Sequence, residues 1–482
     1  KMSFKRKLQL ATDFYQLSMG NVYFLENKAD QIAVFDLFIR KNPCDNGYTI
    51  VAGLEQIIEY IEKLHFDDED IAMLKKHHPE FQPDFLEYLR NFSFSGEIYG
   101  MPEGTLAFPN EPIIRVKAPL LEAQLIETTM LTIINHQSLI ATKACRIVKA
   151  ANGDGVLDFG LRRAHGSEAG LYGARAAIIG GCIGTSNVET EALFGLPSKG
   201  TMAHSLIQSF DSELEAFRTY GKHSPNNLIL LVDTYNTLES GVPNAIKVFT
   251  ELREQNKLNG IYGIRLDSGD LAYLSKQSRK MLDEAGFEDA IISASSDLDE
   301  YLIRDLKLQG ANITLWGVGT KLITSYDCPA LGAVYKISQI QENNQIKPKI
   351  KISNDAIKIT NPGYKKVLRF YDKDNDMALA DLITLDHEEI DPDKPLVIFD
   401  PIYTWKKRVL TNFYYKELLV PIFIDGKRVY ESPNILEIQQ KVKKEKKRFW
   451  PEYHRLLNPH IYHVDLSEEL WKLKQDLIHQ ER

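Results

Sequence analysis

GIYGIRLDSGDLAYLSKQSRKMLDEAGFEDAIISASSDLD (residues 260–299) holds one complete strand–helix–strand unit. A short apolar run, GIYGIRL, stops at Asp267, Ser268 and Gly269. The stretch LAYLSKQSRKMLDEAGF (271–287) then has helical period. A second apolar run follows and stops at Ser295, Ser296 and Asp297. The same grammar recurs on both sides. Upstream lie GVLDFGLRRAHG (155–166), AAIIGGCIGTSN (176–187) and NLILLVDTYNT (227–237); downstream lie ITLWGVGT (313–320) and LGAVYKI (331–337). From Asp233 to Asp267, Ser296 and Gly317 the steps are 34, 29 and 21 residues. That rhythm predicts repeated βα units, hence a parallel sheet or barrel over residues 136–340. Ligands of such folds bind at the carboxyl ends of the strands, so the polar residues ending each run are candidates for one shared site.

The flanking zones read differently. Residues 1–135 form an α+β domain: VAGLEQIIEYIEKL (51–64) has helical spacing, and FSGEIYG, EGTLAFP and EPIIRVKAPL are short strands punctuated by proline. Residues 341–482 form a mixed C-terminal extension, with a lysine-rich stretch QENNQIKPKIKISNDAIKITNPGYKK and a basic helical face KVKKEKKRFW. The chain has 482 residues, enough for two or three domains, and 44% hydrophobic with 26% charged residues excludes wholesale disorder. A net charge of −8 argues against nucleic acid as partner, because phosphate neutralisation needs a basic face. Four cysteines, no two within 35 residues, exclude a CxxC pair and suit a reducing compartment. The first sixteen residues lack the apolar segment of a secretory signal. No apolar run reaches the roughly 18 residues that span a bilayer. The expectation is a cytoplasmic protein that does not enter membranes.

No GxxxxGK[ST], HExxH, GxSxG or GxGxxG occurs, so the usual nucleotide-loop, metalloprotease, hydrolase and dinucleotide readings lose their support. What remains is a set of strand ends. GGCIGTSN brings backbone N–H groups and Thr185 to a turn before a helix. SASSDLD offers Ser296, and WGVGT offers Gly317, Gly319 and Thr320 with Lys321 adjacent. Three such loops at successive strand ends suggest a phosphorylated ligand. IRLDSGD places Arg265, Asp267 and Asp270 around a glycine turn, a set that suits a sugar diphosphate with Mg²⁺. Taken blandly, the two aspartates are turn and cap residues. DFGLRRAHG supplies Phe159 for a planar ring and Arg162 or Arg163 for an anion. GTMAHS sets Thr201 and His204 among small residues, leaving room for a ligand; a lone histidine is otherwise more often structural. TDFYQ, with Tyr15, reads as core unless it reaches another site.

TDFYQLSMGN, DFGLRRAHG, GGCIGTSN, GTMAHS, IRLDSGD, SSDLDE and WGVGT, in this order, resemble the nicotinate phosphoribosyltransferases. NPGYKKVLRFYD and VLTNFYYKELLVPIF resemble the long bacterial form. The resemblance implies an irregular α/β barrel with an N-terminal α+β domain, in the type II phosphoribosyltransferase class. It implies transfer from 5-phosphoribosyl 1-pyrophosphate to nicotinate, giving nicotinate mononucleotide and pyrophosphate, with coupled ATP hydrolysis and Mg²⁺. It further implies that His204 is phosphorylated, and that Tyr15, from the partner in a homodimer, and Phe159 sandwich the pyridine ring. Arg162, Thr185, Thr201, Arg265, Ser296, Gly317, Gly319 and Thr320 would contact substrate. Asp267 would act near ribose and metal, and Asp270 is a second metal candidate. A nicotinamide-specific relative would carry an acid in the loop matching GTSN, and none is present. A phosphosugar isomerase or lyase on a standard barrel would need a catalytic lysine or acid/base pair and no ATP. A pure binding role leaves the polar strand ends without explanation.

Overall fold

A computed structural model describes residues 6–481. The first five residues of the N-terminal stretch read for a signal segment, and the last residue, lie outside the described residues. The chain divides into two compact units, one of residues 140–329 and one of residues 1–139 with 330–482.

The 140–329 unit is built on six parallel strands: β1 Gly155–Asp158, β2 Gly184–Thr185, β3 Asn227–Leu231, β4 Ile261–Leu266, β5 Ile291–Ala294 and β6 Leu315–Val318. Their order is β2-β1-β6-β5-β4-β3, an open ladder with β2 and β3 at its edges. All five pairings are parallel. Leu228, Leu230, Leu231, Ile264, Leu266, Ala294, Trp316 and Val318 are buried, because a parallel sheet is covered on both faces. That is why the sequence shows continuous apolar runs rather than alternation. Helices Ser167–Ile179, Val242–Glu254, Leu271–Glu284 and Glu300–Leu308 fill the crossovers. The helix after β4 starts where Asp270 accepts the Tyr273 N–H at 2.9 Å, and the helix after β5 where Asp299 accepts that of Leu302 at 2.8 Å. Each capping aspartate satisfies an orphan donor of the first turn and fixes the point at which the strand-end loop closes.

The other unit carries a seven-stranded antiparallel sheet. Its order is Gln345–Pro348, Ala333–Glu342, Ile32–Ile39, Ile114–Pro119, Glu97–Gly100, Val420–Ile424 and Lys427–Arg428. Strands from the N-terminal zone and from beyond residue 330 therefore share one ladder; Asp36 pairs in register with Lys336. A four-stranded sheet, Phe413–Glu417, Lys365–Asp372, Ala378–Leu385 and Val464–Leu466, has its own apolar cluster around Phe370, Leu382 and Phe413. The helix expected at 51–64 forms over Leu54–Lys63, entered through Gly53 at φ 113. The basic run lies largely on helix Ile435–Lys446, with a capping box of Asn434 and Glu437. Among the described residues no helix is long and apolar enough to cross a membrane.

Candidate active site

The carboxyl ends of the six strands carry most of the residues singled out from sequence. At the end of β1, Asp158 is buried. Its Oδ1 accepts the Gly160 N–H at 2.9 Å and its Oδ2 accepts the Thr185 hydroxyl at 2.8 Å. Burial pushes this carboxyl up from its ordinary range. Thr185 Oγ1 in turn accepts the Asn187 N–H at 3.1 Å, and Asn187 Oδ1 accepts that of Glu189 at 3.1 Å. The GTSN turn is thus folded onto Asp158, with the Thr185 hydroxyl committed to shaping the loop. Phe159 follows Asp158, and its ring lies over Gly317 of β6. A methyl group there would come within 2.5 Å of the ring, so glycine is what admits the aromatic. Arg162 and Arg163 sit exposed on the next turn.

Arg265, at the end of β4, is mostly withdrawn from water, and burial is the main force holding its guanidinium below the ordinary range. It donates to the Thr201 hydroxyl and, at 2.9 Å, to the Met202 carbonyl. Its Nε has no hydrogen-bond partner among the described residues. Among neighbouring charges it feels Asp267, Asp233 and Arg162.

His204 opens the short helix His204–Gln208. Its Nδ1 is 2.9 Å from the Thr234 hydroxyl. Its Nε2 stands 3.5 Å from Asp267 Oδ2 and 4.0 Å from Asp233 Oδ1. The Asp233 side chain is nearly inaccessible; its Oδ2 accepts the Asp267 N–H and the Ser268 hydroxyl, both at 2.7 Å, while its buried Oδ1 has no hydrogen-bond partner among the described residues. The Asp267 side chain is about one-third exposed; its Oδ1 accepts the Ser295 hydroxyl, which leaves Oδ2 facing His204. Asp270 is exposed and its Oδ1 is engaged as the cap of the following helix. Beyond β5, Ser296 and Asp297 take φ of 102 and 45, a left-handed pair exposed ahead of a helix N-terminus. Thr320 opens the short helix after β6, and Lys321 pairs with Asp299 at 3.2 Å. Among the described residues no three His, Cys, Asp or Glu side chains are grouped to hold a metal ion.

Tyr15 belongs to the other unit, on helix Phe14–Leu25, and is 47% exposed. It is part of an uncovered apolar face with Phe14, Met19, Val22 and Leu25. That unit also holds a group the sequence reading passed over. Burial, then the charges of Lys351 and Arg40, push the Lys336 ammonium down. Thr234 was likewise not singled out. It follows Asp233 directly, so its only sequence signal is a hydroxyl at a strand end.

Family models cover most of the chain. The nicotinate phosphoribosyltransferase N-terminal domain matches residues 10–135, the nicotinate phosphoribosyltransferase family 155–385 and the C-terminal domain 364–474. The chain is 50% identical to the Bacillus subtilis nicotinate phosphoribosyltransferase over 98% of its length and 96% of that protein's. It is 35% identical to the Dictyostelium discoideum nicotinate phosphoribosyltransferase over 97% and 88%. The crystal structure of human nicotinic acid phosphoribosyltransferase superposes with a TM-score of 0.86 at 27% identity, covering 97% of this chain and 99% of that one.

Proposed function

The chain belongs to the nicotinate phosphoribosyltransferase family, and from that premise we propose that it couples phosphoribosyl transfer to ATP hydrolysis through a phosphorylated His204. The transfer itself is the family reaction. The ring nitrogen of nicotinate attacks the anomeric carbon of 5-phosphoribosyl 1-pyrophosphate; the C–O bond breaks and pyrophosphate leaves with the electron pair. Nicotinate mononucleotide is the product. With charge developing on ribose and leaving group, catalysis rests on placed charges more than on a nucleophile. We read the open parallel sheet as the wall of an irregular α/β barrel and residues 140–329 as the catalytic domain; the run at 331–337, expected to extend the parallel array, instead lies in the antiparallel strand Ala333–Glu342.

The observation that carries the coupling is the setting of His204. Thr234 occupies Nδ1, so Nε2 is the nitrogen free to take the γ-phosphoryl group, with the P–O bond to ADP breaking. Phosphorylation would add negative charge between Asp233 and Asp267 and press on the loop that holds Ser295. That change would reshape the diphosphate site and raise affinity in one state of the cycle. Arg265 and Arg162 are the anion-binding pair, for nicotinate carboxylate or phosphate. Phe159 supplies one face of the ring slot; Tyr15 of a second copy is assigned the other, which the apolar face of helix Phe14–Leu25 supports. Ser296, Gly317, Gly319 and Thr320 are assigned to phosphate.

Mg²⁺ fits this donor set as an ion carried in by phosphate oxygens. Asp233 Oδ1 is buried without a hydrogen-bond partner among the described residues and Asp267 Oδ2 faces His204 at 3.5 Å, whereas Asp270 is occupied as a cap. Bound there, Mg²⁺ would neutralise charge on the departing pyrophosphate. The absence of an acid in Thr185–Asn187 favours nicotinate over nicotinamide, since a carboxylate would repel the acid substrate. Four cysteines, no two within 35 residues, suit a reducing compartment, and we assign the protein to the cytoplasm.

The test combines turnover and labelling. Wild-type protein with nicotinate, phosphoribosyl pyrophosphate, Mg²⁺ and γ-labelled ATP forms mononucleotide and a labelled protein. The His204→Ala variant loses the label and the ATP stimulation. Retention of both by the variant, or product with nicotinamide alone, refutes the proposal.

A further inference from the structure

Helix Glu300–Leu308 begins immediately after the loop that carries Ser296, and its first residue is unusually anchored. Glu300 is fully buried. Lys143 Nζ lies 2.9 Å from its Oε2, and Arg146 Nε donates to its Oε1 at 3.0 Å. Both cations come from the long helix Glu127–Ala151 and are themselves 1% exposed. Lys143 also bonds Asp327 at 2.6 Å, and Arg146 donates to the Tyr301 hydroxyl at 2.9 Å. Asp299, just before, caps the helix and pairs with Lys321.

The other end of the loop is pinned as well. The Ser295 N–H donates to the Leu266 carbonyl at 2.9 Å, and the Ser295 hydroxyl donates to Asp267. Between the two anchors Ser296 and Asp297 hold a left-handed backbone that L side chains rarely adopt. Two such residues cost energy, and they persist only where the surroundings over-determine them. Neither residue donates its backbone N–H to any group among the described residues. The loop therefore presents free N–H groups at a helix N-terminus in a conformation it would not keep by itself.

We infer that Glu300, clasped by Lys143 and Arg146, is a positioning residue that holds the Ser296–Asp297 loop in its phosphate-receiving conformation. The inference rests on the proposed assignment of this loop to phosphate. Burying one carboxylate between two cations is expensive unless all three charges are compensated, and such clusters are weak evidence for stability alone. Their value here is geometric. The first turn of the helix cannot rotate or slide without separating buried charges, so the preceding residues have one place to be. Glu300 touches no reacting atom in this account; it acts through the loop.

The experiment uses the full chain with steady-state kinetics in both substrates. For Glu300→Gln, the Michaelis constant for phosphoribosyl pyrophosphate is expected to rise by about ten-fold or more, while kcat and the Michaelis constant for nicotinate stay within about two-fold. Amide hydrogen exchange across residues 295–299 should quicken in parallel. If Glu300→Gln fails to fold, Arg146→Met is read by the same criteria, and Arg146→Lys should restore most of the affinity. An unchanged Michaelis constant for phosphoribosyl pyrophosphate, or an equal decline in all three parameters, overturns the positioning role. If wild-type protein turns over phosphoribosyl pyrophosphate and nicotinate and the Ser296→Pro variant, with its loop disrupted, keeps the wild-type Michaelis constant for phosphoribosyl pyrophosphate, the assignment of the loop to phosphate fails instead.

Discussion

Gly317→Ala is the most direct probe of the aromatic wall. A methyl carbon on Gly317 would lie 2.5 Å from Cδ2 and 2.6 Å from Cε2 of Phe159. Carbon atoms in good contact stand at about 3.5–4.0 Å, so the ring edge has to retreat by about 1 Å. The backbone beneath has little freedom to share that movement. Gly317 is in register with Leu157 in the ladder, and the Phe159 N–H is bound to the Val318 carbonyl at 2.9 Å. The displacement falls on the ring. A misplacement of about 1 Å can cost about a hundred-fold in rate, or about 2.7 kcal/mol at 1.36 kcal/mol per decade. Overpacking itself removes about 1–3 kcal/mol of stability, which thermal unfolding of the same samples would register separately. The expected result is a fall of about a hundred-fold in kcat/KM for nicotinate, carried mainly by nicotinate binding. Mononucleotide formation with nicotinate varied at saturating phosphoribosyl pyrophosphate measures it. Gly332→Ala is the control, because a methyl group there meets nothing within 4 Å. If Gly317→Ala keeps kcat/KM within about two-fold of the parent, the ring at Phe159 is not a wall of the substrate slot and the reasoning fails.

Three further perturbations have definite outcomes. Arg265→Lys keeps a charge but loses the fork held by Thr201 and Met202; kcat/KM should drop by at least about ten-fold, since one charge-assisted hydrogen bond is worth about 1.5–3 kcal/mol. Asp381→Ala strands Arg369, its buried bidentate partner, and should cost about 3–5 kcal/mol by thermal or denaturant unfolding. Asp465 is pushed up to about 7, first by burial and then by Asp400. Between its ordinary value and about 7 the folded chain keeps a proton that the unfolded chain releases, so this group makes stability fall as pH rises through that window. Asp465→Asn should remove the slope, raising the melting temperature at pH 8 relative to pH 5 by about 1–2 °C for each kcal/mol recovered; an unchanged difference between the two pH values refutes the assignment.

The parallel strands were legible because burial on both faces makes them uninterrupted apolar runs, and their ends were legible because the runs stop at Asp233, Asp267, Ser295 and Gly319. Helix Leu54–Lys63 was readable for the complementary reason, an apolar stripe at helical spacing. The long antiparallel sheet was not. Ile32–Ile39 pairs with Ala333–Glu342 across some three hundred residues, and nothing in either segment names its partner. Within the site, residue types were easier to read than relationships. His204 and Asp267 stood out by type, but the clasp of His204 by Thr234 joins residues 30 apart that have no local pattern in common. Lys336, Lys351 and Arg40 escaped notice because lysines in polar strands read as solvated until their mutual effect is seen in three dimensions.

The net charge of −8 and a site for anions are reconciled by where the charges are spent. Most surface carboxylates face water, where their field is screened within about 8–10 Å. At the strand ends the field is local and mixed. Arg265, with Arg162 acting on it, stands against Asp233 and Asp267, and His204 lies between. A purely cationic pocket would hold phosphate tightly in every state. Under the proposed roles, two carboxylates beside His204 would make affinity for a polyanion depend on what offsets their charge, Mg²⁺ or a shift of the Ser295 loop. A site that binds a pyrophosphate donor and releases pyrophosphate needs conditional affinity, and under the proposed coupling it would also answer to a phosphoryl group on His204. In that proposal the part falls to Asp233, whose side chain is buried with one oxygen engaged twice and the other lacking a hydrogen-bond partner among the described residues.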